Sequence, residues 1–125
     1  MKNRKRINTK ESIIDAYKYQ NSDVEAVGAD AIFVRAGAFS NCESLEEVYF
    51  GLDITRISNG AFKDCKNLKD VWFAIIDENK YIEISDDAFD GCPNDITFHI
   101  FATAVKNPYL NKYAIKHGFR VEGMI

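Results

Sequence analysis

The stretch Gly37-Ala38-Phe39-Ser40-Asn41-Cys42-Glu43-Ser44-Leu45-Glu46-Glu47-Val48-Tyr49-Phe50 returns 23 residues later as Gly60-Ala61-Phe62-Lys63-Asp64-Cys65-Lys66-Asn67-Leu68-Lys69-Asp70-Val71-Trp72-Phe73. A fixed period between about 20 and 50 residues marks a solenoid, in which each unit buries its apolar face only by stacking on its neighbours. Within a unit, Leu45, Val48 and Phe50 (then Leu68, Val71 and Phe73) predict a short strand with Tyr49 and Trp72 pointing outward. The chain then turns at Gly51-Leu52-Asp53 and runs extended through Ile54–Ile57. It turns again at Ser58-Asn59-Gly60 and buries Ala61, Phe62 and Cys65 on a tight helical turn.

A third copy spans Ile84 to Phe98. Phe62 to Phe89 is 27 residues, and the four-residue surplus falls in 74–81, where Asp77–Lys80 reads as the tip of a protruding hairpin or loop. Aligning Phe98 with Phe73 makes this strand two residues short, and places Thr97 beside Trp72 and Tyr49. Upstream, Val27-Gly28-Ala29-Asp30 aligns with Phe50-Gly51-Leu52-Asp53 at the same offset. Residues 1–8 read as a disordered basic arm. Thr9 either caps a short helix bearing Ile13, Ile14 and Tyr17, or Ala16-Tyr17 is a worn copy of Ala38-Phe39 in a degenerate first coil. After Phe98, Asn107 predicts an N-cap, Pro108 a first helical turn and Gly118 a left-handed close, with Phe119-Arg120-Val121 as a final strand. The expected organisation is an arm with a cap or degenerate repeat over 1–23, a solenoid over 24–100 and a C-terminal cap over 101–125.

These residues resemble the BspA-like leucine-rich repeat family, whose units read roughly Ile-x-x-x-x-Ala-Phe-x-x-Cys-x-x-Leu-x-x-Val-x-Phe. Ile57–Phe73, Val34–Phe50 and Ile84–Phe98 follow that pattern, and Tyr113-Ala114 with Gly118-Phe119 is similar to the family's closing segment. The resemblance covers about residues 24 to 121. It implies an α+β, right-handed solenoid with a parallel sheet on one face, short helical turns on the other and helical caps. It also implies a binding role; such domains are typical of bacterial surface proteins and of protists.

Charge narrows the partners. Lys and Arg total 16 against 19 Asp and Glu, which argues against a general nucleic-acid binder. Residues 1–10 carry five basic groups and no acid, and residues 101–125 four basic groups and one acid. The net −3 of the chain therefore leaves −11 on residues 11–100. Ile7-Asn8-Thr9-Lys10-Glu11 stands where an export signal needs an apolar run, and no run approaches the ~18 residues of a membrane span. The expected location is cytoplasmic, or surface or secreted where a signal has been removed.

No nucleophile motif, phosphate loop or His-rich metal spacing is present. Cys42, Cys65 and Cys92 share one repeat position and read as core, with no metal or cofactor expected. Asp86-Asp87-Ala88-Phe89-Asp90-Gly91 lacks the oxygen ligands of a calcium loop at its third and twelfth places, so Asp86 or Asp87 is expected to cap its turn. His99 lies on or just past a strand and His117 ends a helix.

The outward face is the stronger candidate. Tyr49, Trp72 and Thr97 form one row, and Glu47, Asp70 and Asp95 an acidic row beside it, suited to a basic protein partner. Ile75, Ile76 and Tyr81 of the insertion form a second candidate surface. The leading expectation is a non-catalytic protein-binding module. An inhibitor from a phage or mobile element that occupies the basic surface of a host nucleic-acid enzyme, and a fragment of a surface adhesin, are the alternatives.

Overall fold

The computed structural model describes residues 4–124; the first three residues of the expected basic arm, Lys2 among them, lie outside the described residues. Six strands form one long, wholly parallel sheet: β1 (Arg6–Thr9), β3 (Ala26–Ala29), β5 (Glu47–Phe50), β7 (Asp70–Phe73), β9 (Thr97–Phe101) and β10 (Arg120–Met124), in that order. Four two-residue strands form a second parallel sheet: β2 (Ile13–Ile14), β4 (Phe33–Val34), β6 (Arg56–Ile57) and β8 (Glu83–Ile84). Each coil crosses the long sheet, the short sheet and a tight turn in succession.

Like residues stack on like. Phe39 lies 5.3 Å from Phe62 at 2°, and Phe62 lies 5.3 Å from Phe89 at 7°. Ala38, Ala61 and Ala88 form a second fully buried column. The Cys42, Cys65 and Cys92 thiols donate to the carbonyls of Tyr19, Phe39 and Phe62 in the preceding coil, at 3.3, 3.2 and 3.0 Å. Hydrogen bonding along this thiol column, with burial, pushes the Cys65 thiol above its ordinary value. The turns bend at two left-handed columns. Tyr17, Gly37 and Gly60 have φ of 59°, 62° and 57°, and Asn21, Asn41, Asp64 and Gly91 have φ of 63°, 58°, 60° and 76°. Glycine, asparagine and aspartate adopt that region at lowest cost and fill six of these seven places, Tyr17 of the outermost coil being the exception.

The amino-terminal region follows the degenerate-coil alternative, in a different register. Arg6–Thr9 is a strand rather than a disordered arm, and Thr9 ends β1 instead of capping a helix. Tyr19, not Tyr17, stacks on Phe39, at 5.1 Å; Tyr17 takes the left-handed corner above Gly37. The offset between β1 and β3 is 20 residues and between β3 and β5 is 21, so Val27 pairs with Val48 and Ala29 with Phe50, not Val27 with Phe50. Two extra residues in the Gly51–Thr55 connection restore the 23-residue offset by β6.

The third copy is not shortened. Val71 pairs with Phe98 and Phe73 with Ile100, so Thr97 stands beside Asp70 and His99 beside Trp72. In the 74–83 insertion, Asp77–Lys80 forms the tip through a bond from Lys80 N–H to Asp77 O. Ile76 and Tyr81 are exposed. Ile75 is only 1% exposed, which removes it from any binding surface: it and Ile82 anchor the insertion in the core.

The C-terminal cap is α1 (Pro108–His117). Asn107 Oδ1 accepts from the N–H groups of Tyr109 and Leu110, and Gly118 closes the helix at φ 75°. Leu110, Tyr113 and Ala114 bury its inner face, while Tyr109 faces outward, before β10 rejoins the long sheet beside β9. Among the described residues it is the only α-helix.

Candidate functional site

Outward positions of the long sheet align because parallel strands in register place equivalent side chains side by side. One row runs Arg6, Ala26, Glu47, Asp70, Thr97, Arg120; the next runs Asn8, Gly28, Tyr49, Trp72, His99, Glu122. The structure thus brings Tyr49 and Trp72 together as expected and substitutes His99 for Thr97. Asp95 precedes β9 and belongs to neither row.

Tyr49 and Trp72 stack with centroids 4.4 Å apart at 10°, and Trp72 and His99 at 4.5 Å and 12°. Each such pair contributes about 0.5–1.5 kcal/mol beyond area burial. Arg6 lies over the free face of Tyr49, 5.1 Å from its centroid. It reaches there because Gly28 has no side chain: a Cβ would stand 2.6 Å from Asn8 Oδ1 and 3.2 Å from Arg6 Nη2. A guanidinium on one end and a tight stack through the middle leave ring edges, not ring faces, turned toward a partner. Aromatic edges carry the positive part of the ring quadrupole.

The acids beside this ladder are already engaged. Glu47 Oε2 accepts from the Tyr49 hydroxyl at 3.0 Å and from Arg4 at 2.7 Å, and Arg4 also reaches Glu46 at 3.1 Å. Burial, and then that bond to Glu47, pushes the Tyr49 phenol above its ordinary value. Asp70 Oδ1 lies 2.8 Å from His99 Nε2, and Glu122 Oε2 lies 3.6 Å from His99 Nδ1. The expected acidic field is therefore spent largely on holding the ladder in place. Arg4 and Arg6 complete the site and escaped the sequence reading, and His99, read there only as lying on or just past a strand, takes the place given to Thr97. The signal for His99 was present: Cys42 to Phe50 and Cys65 to Phe73 are eight residues, and so is Cys92 to Ile100.

Of the insertion residues, Tyr81 packs edge-on against Tyr109 at 4.9 Å, and Ile76 borders an apolar patch with Phe101 and Met124, away from the ladder. Asp87 does not cap its own turn, since its Oδ1 accepts from Gly60 N–H in the preceding coil at 3.2 Å. No group of three or more potential metal ligands occurs among the described residues. No helix among them is long and apolar enough to cross a membrane.

No curated protein and no solved structure matches the chain. The family model of the BspA type leucine rich repeat region matches residues 6–117 in six copies, beginning at the first residue of β1. Repeats of this kind generally mediate protein–protein interaction and are typically non-catalytic. With nearly the whole chain inside that match, the protein belongs to the BspA-type leucine-rich repeat family.

Proposed function

We propose that this protein is a non-catalytic binding module that docks a protein partner on the Tyr49, Trp72 and His99 ladder. The observation that carries this reading is the ladder itself: three half-buried rings stacked within 4.5 Å and fixed at both ends by Arg6 and Glu122. Rigid aromatic anchors lose little entropy on binding and dominate interface energetics. Glu47, Asp70 and Thr97 line the neighbouring row as its polar rim, with Glu47 holding the Tyr49 hydroxyl and Asp70 holding His99. Because the acids are paired internally, a strongly basic partner has less to gain than an aromatic-anchored one. The inhibitor alternative is weakened accordingly. Cys42, Cys65 and Cys92 are free thiols, which suits a reducing, cytoplasmic location.

The test is capture from the source organism's lysate with the wild type and a Tyr49→Ala, Trp72→Ala double variant side by side, at low and moderate salt. The expected result is a partner retained across salt and lost from a variant that still melts cooperatively. A partner retained by the double variant removes the ladder from the interface, and one lost steeply with salt returns the electrostatic reading.

A further inference from the structure

The two sheets end at different coils. The long sheet continues past β7 to β9 and β10, whereas the short sheet stops at β8, so the place beside β8 has no strand. In every earlier coil two carbonyls of the short arm accept from the next coil. Ile32 O takes Thr55 N–H and Val34 O takes Ser58 N–H; Thr55 O then takes Glu83 N–H and Ile57 O takes Ser85 N–H. The equivalent carbonyls in the last coil are those of Ile82 and Ile84. They accept nothing from the described residues. Since Glu83 and Ser85 donate toward β6, strand alternation also turns the Ile84 N–H away from β6, toward the same side.

The capping helix satisfies this edge only at its two ends. Asn107 Nδ2 donates to Lys80 O at 2.9 Å, and the Tyr113 hydroxyl donates to Ser85 O at 3.0 Å and Asp86 O at 3.2 Å. Between those clamps lies a groove of about 310 Å³, walled by β8 on one side and by Tyr81, Tyr109, Lys112 and Lys116 on the other. Lys116 is paired with Asp86 at 2.7 Å, and Glu83 on the β8 wall pairs with Arg56 of β6 at 3.8 Å.

We propose that this groove receives an extended segment of a partner protein as a fifth strand of the short sheet. Two acceptors and one donor in strand spacing are what an extended backbone complements, and a helix or a loop does not present that set. In the register of the short sheet, the incoming residue at the place of Arg56 stands beside Glu83, which pairs with Arg56 at 3.8 Å on its other side, so the segment carries a basic side chain there. This surface is separate from the aromatic ladder, and the two are occupied independently.

Amide hydrogen exchange tests it directly. In the free protein the Ile84 amide is expected to exchange much faster than those of Val34 and Ile57, its equivalents in paired strands. The probe is a blocked pentapeptide copying residues 54–58 of this chain with Arg56→Glu, compared with the unaltered copy. The expected result is slowing of Ile84 exchange by the unaltered copy, with several-fold tighter binding than the Arg56→Glu copy, a preference reversed in Glu83→Lys. Retention of that slowing in Tyr49→Ala, Trp72→Ala separates the groove from the ladder; its loss there overturns independent occupancy. An Ile84 amide already slow in the free protein, or unchanged by both peptides at millimolar concentration, overturns the proposal. Equal binding of the two peptides overturns the basic preference.

Discussion

At its amino-terminal end the ring column finishes on one tyrosine, and at its carboxyl-terminal end it runs into a helix. Tyr19 stacks on Phe39, and its hydroxyl donates to Glu11 Oε1 at 2.7 Å, with Lys18 bound to the other carboxylate oxygen at 2.7 Å. Phe89 and Phe98 instead meet Tyr113 and Phe119 edge-on or stacked, beneath the fully buried Leu110 and Ala114. The first solution covers a ring with a polar network; the second covers it with apolar surface. Burial contributes ~25 cal/mol per Å² whereas exposed ion pairs contribute ~0–1 kcal/mol, so the carboxyl-terminal closure is the stronger of the two.

The comparison is broken most severely by removing what both ends share. Phe62→Ala takes the middle ring from the column and is expected to cost about 3–5 kcal/mol, read as the shift in denaturant midpoint; an unshifted midpoint refutes the continuous column. Leu110→Ala is expected to cost about 2–5 kcal/mol, with exchange protection falling further in β9 than in β3. Asn107→Ala removes an N-cap and the clamp on Lys80 O, for about 1–2 kcal/mol, again localised to the carboxyl-terminal end. Tyr19→Phe keeps the stack and deletes the hydroxyl, for about 1 kcal/mol, with fraying confined to β1 and β2.

The smallest effect is one of pH. Lys18, then the Tyr19 hydroxyl, hold Glu11 below its ordinary 4.5, and Lys116 holds Asp86 below its ordinary 3.8. A carboxylate whose folded pKa is depressed adds stability above its unfolded pKa, and that stability is lost as pH falls through the folded value. Both ends are therefore expected to loosen below about pH 4. Glu11→Gln should flatten this response in β1 and Asp86→Asn in α1, as followed by exchange or melting between pH 5 and 3.

Much of this architecture was legible because stacking forces periodicity: Phe39 and Phe62, Ala38 and Ala61, and the three cysteines announce their columns. The cap was equally plain in Asn107, Pro108 and Gly118, each with a local steric or hydrogen-bonding reason. Two of the misplacements, Phe98 for Ile100 and Val27 for Ala29, are slips of two residues along a strand, whereas Tyr17 for Tyr19 lies in a turn. In a strand a two-residue slip preserves which side chains face inward, so hydrophobic pattern does not resist it, and one aromatic or aliphatic residue substitutes for another. That slip put Thr97 where His99 stands. Ile75 was misjudged for a different reason: the insertion lies outside the repeat, and no periodicity marks which of its residues turns inward.

Among the described residues, the outermost strands of the long sheet, β1 and β10, each present a free edge. A stack with two complementary open ends invites head-to-tail polymerisation, since nothing in such an interface closes on itself. The chain carries +5 in its first ten residues and +3 in its last 25, and like charge at the two poles opposes fibre growth along the stack.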